Sequence, residues 1–186
     1  MKRLFDLKAW ILVSIILIFC NIAAFAAGNK KVAQLLGQAT QFLSAGDYDK
    51  AIKTCDDILG VDRNCPAAYY LRGFANRYKK EYVIAIVDFT RAVQLNPKYA
   101  AAYYGRALSY AYTGDYGNAL ADLDAAIAID PRYTDAYINR ARVYYEIDEY
   151  DKAWDDVHKA ESLGVSEHIL YKSFIKKLKE VSGRNR

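Results

Sequence analysis

Tyr48, Tyr82, Tyr116 and Tyr150 recur at a spacing of 34 residues. An acid stands directly before each (Asp47, Glu81, Asp115, Glu149), and an alanine follows three positions later (Ala51, Ala85, Ala119, Ala153). A fixed period of this length is the mark of stacked repeats, in which one supersecondary unit cannot bury its apolar face alone and is completed by its neighbour. The period therefore restricts fold and function together, because stacked repeats build extended binding surfaces and not enclosed catalytic centres.

Aligned on the period, the chain divides into units 32–65, 66–99, 100–133 and 134–167. In the third unit Tyr103, Ala107 and Tyr110 fall on one helical stripe. Gly114 suits the left-handed residue that ends a helix, and Asp115 suits the cap of the next. Tyr116, Ala119, Leu123, Ala126 and Ile127 then form a second stripe, and Pro131 stops that helix. Each unit reads as a helix–turn–helix hairpin. Ala107 and Ala119 let the two backbones approach, while the recurrent tyrosines fill the wedge around that contact and into the next unit. Truncating one of them to alanine is expected to cost about 3–5 kcal/mol, as for other buried aromatics. Arg72, Arg106 and Arg140 share one column and Asp88, Asp122 and Asp156 another, whereas the first unit has Gln38 and Thr54 there. Partners that vanish together predict ion pairs linking helices, within a unit or between neighbours.

This order of aromatic, small, aromatic, turn, Tyr, Ala, Ala and Pro resembles the tetratricopeptide repeat family. The match is closest in units two and three, where Pro97 and Pro131 hold the helix-ending position. Unit four keeps Tyr137, Ala141, Tyr144, Tyr150, Ala153 and Ala160 but has Val165 in place of proline. Unit one keeps Leu35, Ala39, Phe42, Tyr48 and Ala51, with Cys55, Ile58 and Arg63 off pattern. The resemblance implies an all-α, right-handed superhelix of about four repeats. Beyond Gly164, Ser166 can cap a further helix over 168–182, ahead of a short tail at 183–186. Leu170, Phe174, Leu178 and Val181 share one face of that helix, and Lys172, Lys176, Lys177 and Lys179 spread over the rest. It reads as a capping helix with a soluble outer face.

The first stretch lies outside the array. Lys2, Arg3 and Lys8 precede an apolar run from Ala9 to Cys20 and then small residues that include Ala24-Phe25-Ala26. That is the order of a secretory signal peptide over 1–26, with cleavage expected after Ala26 and a short linker at 27–31. Two other readings stay open. Uncut, the stretch from Ala9 to Ala27 is long enough to anchor in a bilayer. Cys20 could instead carry a lipid, although Phe19 stands where a small residue is expected. All three readings place the repeats outside the cytoplasm, with a bacterial periplasm the expected compartment. The full-chain charge of +4 drops to about +2 once this segment is gone. That is too near neutral for a nucleic-acid partner, and membrane contact is expected only through an uncleaved or lipidated N-terminus. An oxidising compartment permits a Cys55–Cys65 disulfide, but the favoured reading is a small buried thiol plus a loop thiol.

Chemistry has few candidates. His158 and His168 are the only histidines, and neither has the spacing to other ligands that a metal site needs. No Gly-rich phosphate loop occurs, and the adjacent Asp155 and Asp156 point in different directions on a helix. No enzymatic activity, metal or cofactor is expected. The functional signal is a second stripe on the first helices, beside the core stripe. It runs through Tyr70, Phe74 and Tyr78, then Tyr104, Leu108 and Tyr112, then Ile138, Arg142 and Glu146 with Tyr145 beside them. Unit one supplies Leu36, Thr40 and Ser44. The resemblance places this stripe on the concave surface, where peptides or partner segments lie. Packing of one unit on the next is the competing explanation. Tyrosine suits a wet binding surface because it joins apolar area to a hydroxyl, and Arg77 and Arg142 suit a carboxylate or a ring face. The expected function is a module that binds a protein or peptide partner in an aromatic groove. The alternatives are a carrier of a small apolar or aromatic ligand in the same groove and a structural subunit of an envelope complex that uses its convex face. Family members that grip chaperone C-terminal carboxylates use Lys and Asn where this chain has Tyr70, Phe74 and Gly105, so that clamp is not expected.

Overall fold

A computed structural model describes residues 28–164 and 169–183. The predicted signal segment with Cys20 and the cleavage site, and also Ser166 and His168, lie outside the described residues. Within them the chain is all-helical. A helix over residues 28–44 (α1) is followed by α2 (Tyr48–Val61), α3 (Pro66–Tyr78), α4 (Tyr82–Leu95) and α5 (Ala100–Tyr112). Then come α6 (Tyr116–Ile129), α7 (Thr134–Glu146), α8 (Tyr150–Ser162) and α9 (Ile169–Ser182). The helices pair as hairpins α1–α2, α3–α4, α5–α6 and α7–α8. Each second helix also packs on the first helix of the next hairpin, and α3, α5 and α7 touch in turn along one side. The result is a superhelix of about four hairpins closed by α9.

Turn chemistry sets the hairpins. The Asp47 and Asp115 carboxylates accept from the amides of Lys50 and Asn118 at 3.3 and 3.2 Å and cap α2 and α6. The residue before each acid is left-handed: Gly46 and Gly114 in hairpins one and three, but Lys80 (φ 65°) and Asp148 (φ 61°) in two and four. Small residues seal the helix contacts. Ala51, Ala85, Ala119 and Ala153 are fully buried, as are Ala39, Ala107 and Ala141 on the first helices. Between these columns lies a plug residue of variable size: Cys55, Phe89, Leu123 and Val157, all fully buried.

The arginine column forms ion pairs both within and between hairpins. Arg106 donates from Nε and Nη2 to the Asp122 carboxylate at 2.7 and 2.8 Å, and from Nη1 back to Thr90 Oγ1 at 3.0 Å. Arg72 binds Asp88 ahead of it and Asp56 behind it. Arg140 does the same with Asp156 and Asp124. Each guanidinium thus ties two consecutive second helices together.

Three local expectations are corrected. The recurrent tyrosines are half-buried. Tyr48 stacks on Tyr78 and Tyr82 on Tyr112, each on the first helix of the next hairpin, so their truncation costs less than that of a sealed core ring. Phe174 and Leu178 of α9 are buried against the last hairpin, but Val181 is 46% exposed and adds nothing to the seal. Cys65 is no loop thiol: it caps α3 and is buried. Cys55 is also an unbonded buried thiol, its pKa pushed up to about 12 by burial.

Candidate functional site

The inner face is formed by α1, α3, α5 and α7, whose successive turns bring side chains four residues apart into line. Three recesses lie along it. The central one, about 770 Å³, has Phe74, Arg77 and Tyr78 on one wall, Tyr104, Leu108 and Tyr112 across the floor and Arg142 on the far wall. Seven of the ten residues expected for the groove therefore share one recess. Tyr70 lies in a neighbouring recess of about 370 Å³, bounded by Thr40, Leu43, Ser44 and Tyr48 and sharing Phe74 and Tyr78 with the first. Tyr145 lies in a third, about 230 Å³, between α7 and α9, which shares Arg142 and Glu146 with the centre. Ile138 does not line the groove: it is buried with Tyr137, Trp154 and Phe174 in the core of the last hairpin.

The walls are aromatic and partly open. Tyr78 is 49% exposed and Tyr112 is 64% exposed. Phe74 packs on Tyr78 at 4.7 Å between centroids. The Arg77 guanidinium lies over both rings, 4.7 Å from Tyr78 and 5.2 Å from Phe74. Arg142 lies over Phe174 at 5.8 Å. Asn139 donates to the Tyr104 hydroxyl at 2.8 Å. Burial pushes the Tyr104 pKa up to about 12, with Asp135 adding to the rise and Arg77 and Arg142 opposing it. Tyr104 is therefore a neutral phenol at physiological pH, with its own proton free to donate.

Several inner-face residues escape the stripe. Ala107, Ala111, Val143, Asn139 and Tyr116 also line the central recess. Tyr48 belongs to the recess beside it. Two of the four recurrent tyrosines, Tyr48 and Tyr116, thus line the groove as well as serving the repeat contacts. Asn139 had a legible signal: it is polar in a column that holds Leu71 and Gly105. On the opposite, convex side Val83 (69%), Ile84 (51%) and Val87 (64%) are exposed on α4, where the equivalent positions of α2 and α8 are all Asp or Lys. Among the described residues no three His, Cys, Asp or Glu side chains converge on a possible metal position, and no helix is long and apolar enough to cross a membrane.

Comparison with known proteins places this geometry. Two family models, both described as Tetratricopeptide repeat, match residues 36–100 and 110–153. Tetratricopeptide repeat protein 12 of Mus musculus is 38% identical over 61 residues, which is 33% of this chain and 9% of that protein. The Homo sapiens protein of the same name is 29% identical over 91 residues, 40% of this chain and 13% of that one. The chain thus spans only a small fraction of the curated relatives it matches. A crystal structure of MamA aligns at TM-score 0.67 with 30% identity, covering 71% of this chain and 77% of that one. A structure described as the first TPR of Spaghetti (RPAP3) bound to HSP90 peptide SRMEEVD aligns at TM-score 0.62 with 22% identity, covering 63% and 94%.

Proposed function

This chain belongs to the tetratricopeptide repeat family, and we propose that it is an exported interaction module that holds a peptide or a segment of a partner protein along its inner face, without turnover. The observation that carries this reading is the run of three recesses sharing walls, with Tyr78 and Tyr112 half-exposed or more at the central one. A string of connected recesses suits a chain with successive side chains, while a compact ligand would fill only one. Exposed tyrosines give such a guest apolar contact and a hydrogen-bonding hydroxyl together. A protein of the same fold is seen with a peptide bound. Export to a periplasm rests on the cationic, apolar and small-residue order of the first 26 residues.

The test is crosslinking and pull-down of the chain from its native envelope, beside a Tyr104→Ala/Tyr112→Ala variant whose helicity is checked by circular dichroism. The wild type should capture a partner that the folded variant loses. Equal capture by both would place the binding surface elsewhere. One observation favours a second reading, a structural subunit that docks by its convex side: the exposed Val83, Ile84 and Val87. Val83→Asp/Val87→Lys should abolish capture if that side is used and leave it intact if the groove is.

A further inference from the structure

We propose that Arg77 and Arg142 form a receptor for one carboxylate side chain of the bound segment, placed beside an uncharged recess that takes an apolar residue of the same segment. This rests on the groove reading above and deepens it.

Five arginines stand on α3, α5 and α7. Arg72, Arg106 and Arg140 are each saturated by aspartates or by an aspartate and a hydroxyl. Arg77 and Arg142 have no carboxylate partner among the described residues, and both line the central recess. The Arg77 Nε is buried without an acceptor, while its guanidinium lies over the Tyr78 and Phe74 rings. Ring faces fix such a group and satisfy its charge in part, but they leave its in-plane N–H donors unused. A partly desolvated guanidinium with free donors is a fork that fits a carboxylate.

The two cations come from either side of one residue. Arg77 on α3 and Arg142 on α7 line the central recess on either side of Tyr104 on α5, and both draw the pKa of its hydroxyl down against the larger effect of burial. That phenol accepts from Asn139 and keeps its proton to give. A carboxylate over Tyr104 would therefore meet two guanidinium groups and one O–H donor. Glu146 also lines the recess, but it is exposed at the end of α7.

The neighbouring recess supplies the register. Thr40, Leu43, Tyr70 and Leu71 contribute to it and no charged side chain does, and it shares the Phe74 and Tyr78 rings with the anion site. An extended guest that puts an apolar side chain there reaches Arg77 only a few residues further on. The two arginines stand at other positions than the chaperone-tail clamp, where this chain has Tyr70, Phe74 and Gly105.

The experiment pans the immobilised full chain against a phage-displayed random dodecapeptide library whose peptide C-termini are fused to the coat protein, so that only side chains offer a carboxylate. Enriched sequences should carry Asp or Glu within a few residues of Leu, Ile or Phe. The strongest binder, synthesised with an amidated C-terminus, is then titrated by fluorescence anisotropy. Its affinity should drop about tenfold or more when its acid becomes the amide, and by a similar factor for Arg77→Gln/Arg142→Gln, with no further loss when both changes are combined. Binders that need Tyr104 and Tyr112 but lose nothing in this cycle would overturn the acid receptor and leave the groove standing. A library that yields no binder counts against both. If the double glutamine variant fails to fold, the acid-to-amide change on the peptide decides the matter in the wild-type chain, and an unchanged affinity there sinks the proposal.

Discussion

The ring of Phe89 occupies the space that a side chain at Gly105 would need: a Cβ built there lies 2.6 Å from Phe89 Cζ. Phe89 is the largest residue in its column, where the other hairpins have Cys55, Leu123 and Val157, and it is fully buried. A Cβ built at Gly73, on the other neighbouring first helix, lies 3.1 Å from the same ring. One large residue on α4 is thus matched by missing side chains on both α3 and α5.

That match sets the sign of a substitution. In an open helix, Gly→Ala stabilises by about 1 kcal/mol through backbone entropy. Gly37 on α1 has nothing within 4 Å of a built Cβ, so Gly37→Ala should show that gain. Gly105→Ala should instead destabilise by about 1–3 kcal/mol, because forcing a methyl group against a sealed ring overpacks the core. Adding Phe89→Leu should recover part of the loss and yield a positive coupling in a double-mutant cycle by urea denaturation. Additive effects would mean that Phe89 is not what excludes the methyl group.

Much of this architecture was legible in the period. The spacing locates the hairpins, the alanine seals and the Arg–Asp columns, because each depends on one residue type at one repeat position. What escaped depends on pairs across units. Phe89 with Gly105 joins two columns that look unrelated within any single unit. Tyr82 on Tyr112, 4.8 Å apart and nearly parallel, backs a ring of the central recess with a repeat-contact tyrosine. Most of the groove stripe could be read because helical spacing alone aligns Phe74 with Tyr78 and Leu108 with Tyr112. Ile138 occupies the same column as Tyr70 and Tyr104 but is enclosed in the last hairpin's cluster beneath α9, and the repeat pattern carries no information about that end.

Arg106 and Asp122 test the ion-pair column. Asp122 is 6% exposed and takes two short hydrogen bonds from Arg106. Arg106→Ala should cost about 3 kcal/mol or more, since it strands a buried carboxylate and also frees the Thr90 hydroxyl. Arg106→Met/Asp122→Leu should recover most of that loss, because replacing both charges removes the desolvation penalty. The check is thermal unfolding followed at the helix band. An unchanged melting temperature in the single variant would show the pair to be structurally idle.

Tyr99 gives the chain an alkaline limit. Burial pushes its pKa from 10.0 up to about 12, with Tyr70 and Cys65 adding to the rise. A pKa raised in the folded state contributes stability that is fully present below about 10 and is lost as pH climbs toward 12, because only the unfolded chain ionises freely in that window. Unfolding free energy should fall over this range and fall less steeply for Tyr99→Phe, while the two chains agree near pH 8 within about 0.5 kcal/mol. Cys55, raised from 9.0 to about 12, adds a loss in the same direction in both chains. Parallel curves for the two would show that Tyr99 ionises as easily folded as unfolded.

The end of the array offers a direct optical test. Leu178 on α9 is fully buried, Trp154 on α8 is 6% exposed, and the indole Nε1 donates to Ser182 Oγ at 3.1 Å. Trp10 is the only other tryptophan, so a chain beginning at Ala27 reports on this junction alone. Leu178→Ala removes the plug of the interface and should cost about 2–5 kcal/mol. The loss should be local, because among the described residues α9 packs on the last hairpin and a repeat array is stabilised by nearest-neighbour contacts. Trp154 emission should therefore shift to the red at a lower urea concentration than the loss of helix signal, whereas in the wild type the two transitions lie closer together. Ser182→Ala removes one hydrogen bond and should cost only about 1 kcal/mol without separating the transitions. If Leu178→Ala leaves the emission and both midpoints where they were, α9 is not what closes the core, and Trp154 must be shielded by its own hairpin.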